Sequence, residues 1–256
     1  MGGKARLKPV AAALLAATAL ATHFGPAAIA EVSQKDGVRV SVSGSMRPSK
    51  LPRTGSKPIA VSVAGKIVAT KAGALPKLSA VSVAINQNGR FNTKGIPLCR
   101  LGHINPSTTQ EALIACRPAL IGEGSFSADV RIPDQSPFPS QGKILAFNGK
   151  LRGKPAIFAH IYGTKPVPTS YVLPFTISQA KGTYGTILQA SLPSVTGEWG
   201  YVTGISLSLD QKVMSAACPA PAGFTKAVFP LARTAFSFDG GLTLTSTLSR
   251  TCRVAS

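Results

Sequence analysis

The chain has 256 residues, of which 28 are lysine or arginine and nine are acidic, for a formal net charge of +19. Three histidines, 6% aromatic residues and four cysteines leave little material for a metal centre or a base-stacking RNA-binding module. Frequent glycine (25) and proline (20) raise the question of disorder, which the alternating apolar pattern described below answers for residues 59–256.

The first thirty residues read as an export signal. Lys4, Arg6 and Lys8 precede an apolar stretch from Val10 to Ala21, and Ala28-Ile29-Ala30 offers small residues at the cleavage positions. That stretch is well short of the ~20 residues needed to span a bilayer as a helix. Cleavage after Ala30 is therefore expected, with no transmembrane span and a secreted or cell-surface location. Of the 28 basic residues three lie in this leader and none of the nine acidic ones does, so the remainder carries a net charge of +16. The excess is spread along the chain, without a basic tail.

Val38, Val40 and Val42 alternate with polar residues, the period of a half-buried strand. Residues 44–58 are rich in proline, serine, glycine and positive charge, which predicts a linker or long surface loop. On this basis residues 31–56 are an amino-terminal extension and 57–254 a single domain. Leu51-Pro52-Arg53-Thr54-Gly55 matches a sortase recognition pattern, but two hundred residues follow it, so it reads as a coincidence.

Alternation resumes at Ile59, Val61 and Val63 and again at Val81, Val83 and Ile85, with Ala-Val-Ser-Val-Ala at both 60–64 and 80–84. One helix is signalled: Ser107 and Thr108 precede Gln110 and Glu111 in a capping-box arrangement, and Pro118 ends the element. Strands are expected from Phe126 to Ile132, and at Ile144–Phe147 and Ala156–Tyr162 around a turn-rich stretch from Asn148 to Lys154. Further strands fall at Leu173–Ile177, Ile187–Leu192 and Ile205–Leu209. Phe236 to Thr245, with Asp239-Gly240-Gly241 at the tip, is the clearest hairpin. Many short strands with one helix predict an all-β fold, an antiparallel β-sandwich of jelly-roll-like form.

Four cysteines in an exported chain predict two disulfides. Three pairings exist; Cys99–Cys116 with Cys218–Cys252 closes the shortest loops and is the preferred one. No catalytic, cofactor or metal-ligating set emerges. His160 sits in a strand, and no G-x-S-x-G nucleophile turn is present. Glu123 and Glu198 are the carboxylates to examine for glycoside hydrolysis. His103, inside the first disulfide loop, and Trp199, the single tryptophan, are the candidate binding residues.

Asn88-Gly89-Arg90-Phe91, Gly95-Ile96-Pro97-Leu98-Cys99-Arg100, Cys116-Arg117-Pro118-Ala119-Leu120, Tyr162 to Ser170 and Trp199-Gly200-Tyr201-Val202-Thr203-Gly204 carry one further signal. Through these segments the chain resembles a group of secreted proteins from soil actinobacteria, over most of residues 57–254. The resemblance implies a bacterial, exported origin and one folded unit. It transfers no activity and no site residue. The functional expectation is a non-enzymatic protein that associates with anionic envelope polymers or glycans, without specific nucleic-acid binding. A secreted hydrolase of polysaccharides or esters, and a purely structural envelope or extracellular-matrix protein, are the alternatives.

Overall fold

The computed structural model describes residues 30–72, 75–132, 134–165, 167–192 and 200–255. Residues 1–29 of the expected export signal, Ala28 among them, and both Glu198 and Trp199 lie outside the described residues; Ala30 is described and exposed. The fold is all-β with a single short α-helix and two disulfides. In chain order the strands are β1 (Glu31–Lys35), β2 (Val38–Arg47), β3 (Lys50–Leu51), β4 (Lys57–Pro58), β5 (Ala60–Ala69), β6 (Leu78–Asn86) and β7 (Gly89–Phe91). Helix α1 (Thr109–Cys116) follows, then β8 (Leu120–Val130), β9 (Phe138–Leu151), β10 (Lys154–Gly163), β11 (Thr169–Gln179) and β12 (Tyr184–Ser191). The last four are β13 (Gly200–Leu209), β14 (Met214–Ala216), β15 (Lys226–Phe238) and β16 (Thr243–Val254).

Thirteen strands form one sheet in the order β1-β2-β5-β13-β8-β9-β10-β11-β12-β6-β15-β16-β3, antiparallel throughout except for β3 beside β16. The layered fold expected from the alternation is realised as this single sheet curled onto its own apolar face. Inward residues from nearly every strand, among them Met46, Val61, Ile85, Ile121, Ala146, Ile157, Phe229 and Leu248, join one core. The edges of the curl approach each other where Arg250 on β16 donates from Nε to the Gly44 carbonyl of β2 at 2.7 Å and faces Glu31 of β1 at 3.7 Å. Glycine is needed at this seam: a Cβ on Gly44 would lie 2.9 Å from the Ser62 carbonyl oxygen, which is fixed backbone, and 2.6 Å from Leu248 Cδ2.

A second sheet of β4, β14 and β7 lies at one end of the curl, where Met214, Ala216 and Phe91 pack into the main core. Outside the curl, α1 and the loop before it cover β9 and β10, burying Phe147 and Phe158 with Cys99, Ile104, Ala112 and Cys116. Each fully buried aromatic of this kind contributes roughly 1.5–3 kcal/mol. This cover explains why Ile144 to Gly149 are buried on both faces of β9. The capping box is present as expected: Thr108 Oγ1 accepts from the Glu111 amide at 3.2 Å, and Glu111 Oε2 accepts from the Thr108 amide at 2.7 Å. No helix among the described residues is long and apolar enough to cross a membrane.

Two expectations are revised. Residues 31–56 are joined to the main sheet, because β2 pairs with β5 over ten positions from Val38↔Ala69 to Arg47↔Ala60. Within the supposed linker, Leu51 is fully buried in β3, and the Pro52 carbonyl accepts from the Cys218 amide at 2.9 Å. Composition pointed to a loop because these backbone groups find partners far away in sequence, which local pattern cannot register. The turn expected from Asn148 to Lys154 is shorter: β9 runs through Leu151, and only Arg152 (φ 49°) and Gly153 (φ 79°) turn the chain. Asn148 is buried instead, its Nδ2 donating to the carbonyls of Ile96 at 3.0 Å and Pro97 at 3.1 Å.

Candidate cationic site

Antiparallel pairing gathers alternate connections at the same end of the curl. At the end closed by the small sheet, the β2–β5 connection brings Arg47, Lys50, Arg53 and Lys57, and the β9–β10 turn brings Lys150, Arg152 and Lys154. The long segment between β7 and β8 adds Lys94, Arg100 and Arg117; Arg90 of β7 with Lys181, Lys212, Lys226 and Arg253 completes the set. The acidic residues nearest to them in the strand register are Glu111, Asp210 and, two residues along β8 from the Asp210 contact, Glu123, which pairs with Lys143 at 2.9 Å; all three are engaged. Glu111 caps α1, its hydrogen bonds to the Thr108 backbone and side chain holding its carboxyl below the ordinary value, and Asp210 pairs with Lys212 at 3.4 Å. Both disulfides, Cys99–Cys116 and Cys218–Cys252, staple this same end.

The densest part is a row on the outer face of three neighbouring strands. Lys226 of β15 lies opposite Arg253 of β16, and Arg253 lies beside Lys50 of β3. Adjacent strands are separated by roughly 4.8 Å, so the row places three cationic residues within about 10 Å of backbone. All three are exposed, and none makes an ion pair among the described residues. Like charges directly opposite one another disfavour the sheet, so the row stores electrostatic repulsion that a bound anion relieves. Arg53 is placed differently. Its guanidinium donates to the carbonyls of Ala220, Pro221 and Phe224, the last at 2.8 Å, and so fixes the turn leading into β15.

The sequence-derived candidates fall elsewhere. His103 is exposed on a short 3-10 turn, its amide donating to the Arg100 carbonyl at 3.0 Å. Glu123 is tied to Lys143 at 2.9 Å on the outer face of the sheet. His160 is fully buried beneath the loop that precedes α1. Its Nε2 lies 3.0 Å from the Ser107 carbonyl, 3.1 Å from Ser107 Oγ and 3.3 Å from Ser170 Oγ. A carbonyl only accepts, so Nε2 carries the proton and cannot take one from either serine. Ser107 Oγ donates to the Ile104 carbonyl at 3.0 Å, and Nδ1 is buried with no partner. Burial pushes the His160 pKa down, against a smaller opposing effect of the Ser107 backbone bond. This is a neutral histidine pinning a loop to β10, with no carboxylate in the set.

A second feature is an open groove of about 900 Å³ across β5, β13, β8 and β9. Most of its polar side chains, Lys66 and Gln141 excepted, satisfy one another: Ser125 Oγ meets Ser206 Oγ at 2.8 Å, Thr203 Oγ1 donates to Ser127 Oγ at 3.1 Å, and Arg131 pairs with Asp129 at 3.1 Å. The Arg131 guanidinium lies over the Tyr201 ring, 5.3 Å from its centroid. Largely self-satisfied, the groove has less to offer an anion than the cationic end.

Local reading missed Lys50, Lys226 and Arg253 because they come from three distant segments. One signal was present. Counting back from the Asp239-Gly240-Gly241 tip along both strands brings Lys226 and Arg253 to within one residue of each other, and the bulge between Pro230 and Ala232 accounts for the remainder. Compared with protein-family models, curated protein sequences and solved structures, the chain matches none.

Proposed function

We propose that this chain is an exported, non-enzymatic protein that associates with anionic polymers of the cell envelope through the cationic end of its curled sheet. The observation that carries the reading is the Lys226–Arg253–Lys50 row, three cationic residues on adjacent strands without acidic partners among the described residues. The leader-like residues 1–30 and the two disulfides support export to an oxidising compartment. Binding follows from charge attraction and release of counterions from the polymer, so it weakens steeply as salt rises.

The test is sedimentation of the exported protein with isolated cell envelope at low and at high ionic strength. Binding at low salt that is lost at high salt is the expected result. Failure to bind at low salt overturns the proposal. Binding indifferent to salt also overturns it, and directs attention to a neutral sugar site in which Trp199 is the residue to replace.

A further inference from the structure

We infer that the cationic end seats on the surface of an anionic lipid bilayer, with Phe224 and Val228 entering the interface between head groups and acyl chains. The inference rests on reading this end as an anion-binding surface and names the carrier of the anions. Its starting point is where the apolar surface lies. The large apolar side chains left exposed among the described residues are Val32, Leu98, Ile114, Val167, Phe224 and Val228. Phe224 and Val228 flank Lys226 in sequence, while Leu98 and Ile114 lie one residue from Cys99 and two from Cys116. Four of the six thus adjoin the two disulfides of the cationic end.

Phe224 is 63% exposed and Val228 71% exposed, and neither is loose. The Phe224 turn is fixed by Arg53 through the carbonyls of Ala220, Pro221 and Phe224, and by the Phe224 amide donating to the Pro221 carbonyl at 3.1 Å. One residue on, the Thr225 carbonyl accepts from the Val254 amide at 2.9 Å, and the Cys218–Cys252 disulfide ties the two segments covalently. Val228 is held in the β15–β16 ladder opposite Thr251. A phenyl ring presented outward on a braced turn cannot fold back into the core, and its ordering cost is already met before docking.

Charge decides what covers it. Val228 stands two residues from Lys226 on the same face of β15 and so adjoins the Lys226–Arg253–Lys50 row, and Phe224 lies two residues before Lys226 in the chain. A soluble polyanion satisfies the cations but leaves the ring and the valine in water. A neutral apolar partner covers the ring and leaves the cations unpaired. An anionic bilayer answers both, with phosphates against the row and acyl chains against Phe224 and Val228, while the lysine and arginine stems lie along the boundary.

The experiment uses the exported, oxidised protein and its F224S/V228T variant, with circular dichroism confirming that the strand content is kept. Each is sedimented with vesicles of equal phosphatidylglycerol and phosphatidylcholine, and with pure phosphatidylcholine, and titrated with soluble polyphosphate. The expected result is partition of the native protein onto the anionic vesicles alone, lowered about tenfold or more in F224S/V228T, with polyphosphate affinity unchanged between the two. Equal partition of both proteins overturns the inference and leaves anion binding intact. Binding of polyphosphate without any vesicle binding also overturns it, and makes the end a polymer site alone. Binding of neither probe removes both readings.

Discussion

The two ends of the curled sheet are built from the same kind of strand connection, yet they differ in charge and in bracing. At the closed end the connections carry Arg53, Lys57, Arg100, Arg117, Lys150 and Arg152, together with both disulfides and the small sheet. At the other end Lys35, Lys71, Lys77 and Lys165 are interspersed with Asp36, Asp134 and Asp239, and no disulfide is present. The mixed end resembles an ordinary solvated surface, where opposite charges are interspersed and repulsion is small. The closed end keeps cations together against their repulsion and fixes the backbone beneath them. The difference teaches that the topology can sort a charge excess without a tail into one end of the molecule.

Removing the staples is the most severe way to break this contrast. Opening Cys218–Cys252 by double alanine substitution should cost about 4 kcal/mol of unfolding free energy, and opening Cys99–Cys116 about 3 kcal/mol, by the chain-entropy argument. Denaturant titration of the oxidised proteins measures both. A loss under about 1 kcal/mol for either would mean that core packing alone holds the closed end.

A smaller and sharper effect comes from neutralising charge at each end in turn. The K50Q/K226Q/R253Q variant should lose about tenfold or more in polyphosphate affinity at low salt, whereas K35Q/K71Q/K77Q should stay within about twofold. Both remove the same number of charges, so equal losses would mean that net charge, and not its placement, governs binding. Thermal unfolding of the first variant should be unchanged or slightly higher, because a row of like charges has been relieved.

The smallest effect lies between the ends, at His160. Burial holds its folded pKa below the ordinary value of 6.5, so the folded protein resists a proton that the unfolded chain accepts. Stability from this residue is therefore present above pH 6.5, declines as pH falls below it, and is fully lost once pH passes the folded value. The melting temperature should drop between pH 7.5 and 5.5, and His160→Gln should flatten that slope. An unchanged slope would show that the buried imidazole is not what the acid limb reports.

Much of this molecule was readable one segment at a time. The alternation at Val38–Val42 and Val61–Val63 marked strands, because an element with one face in the core must repeat every second residue. The Asp239–Gly241 tip, the Thr108–Glu111 box and the pairing of the cysteines were legible for the same reason: each is a short-range requirement of backbone geometry or loop entropy. The placement of β2 in the main sheet was not, since its partner β5 is reached only by way of β3, β4 and the bends between them. His160 could be assigned to a strand but not to burial under Ser107, which depends on how a distant loop is laid over β10.

What the sequence alone determined is therefore the class of fold, the positions of most strands, the presence of two disulfides and a net charge of +16 after residue 30 of 256; the cysteine pairing was a preference that the structure decided. Tertiary structure alone decided that Lys50, Lys226 and Arg253 stand side by side and that Phe224 is held outward beside them. The physical reason is that composition counts charges irrespective of direction. An antiparallel sheet sends every second connection to the same end, so residues evenly spread along the chain become concentrated in space.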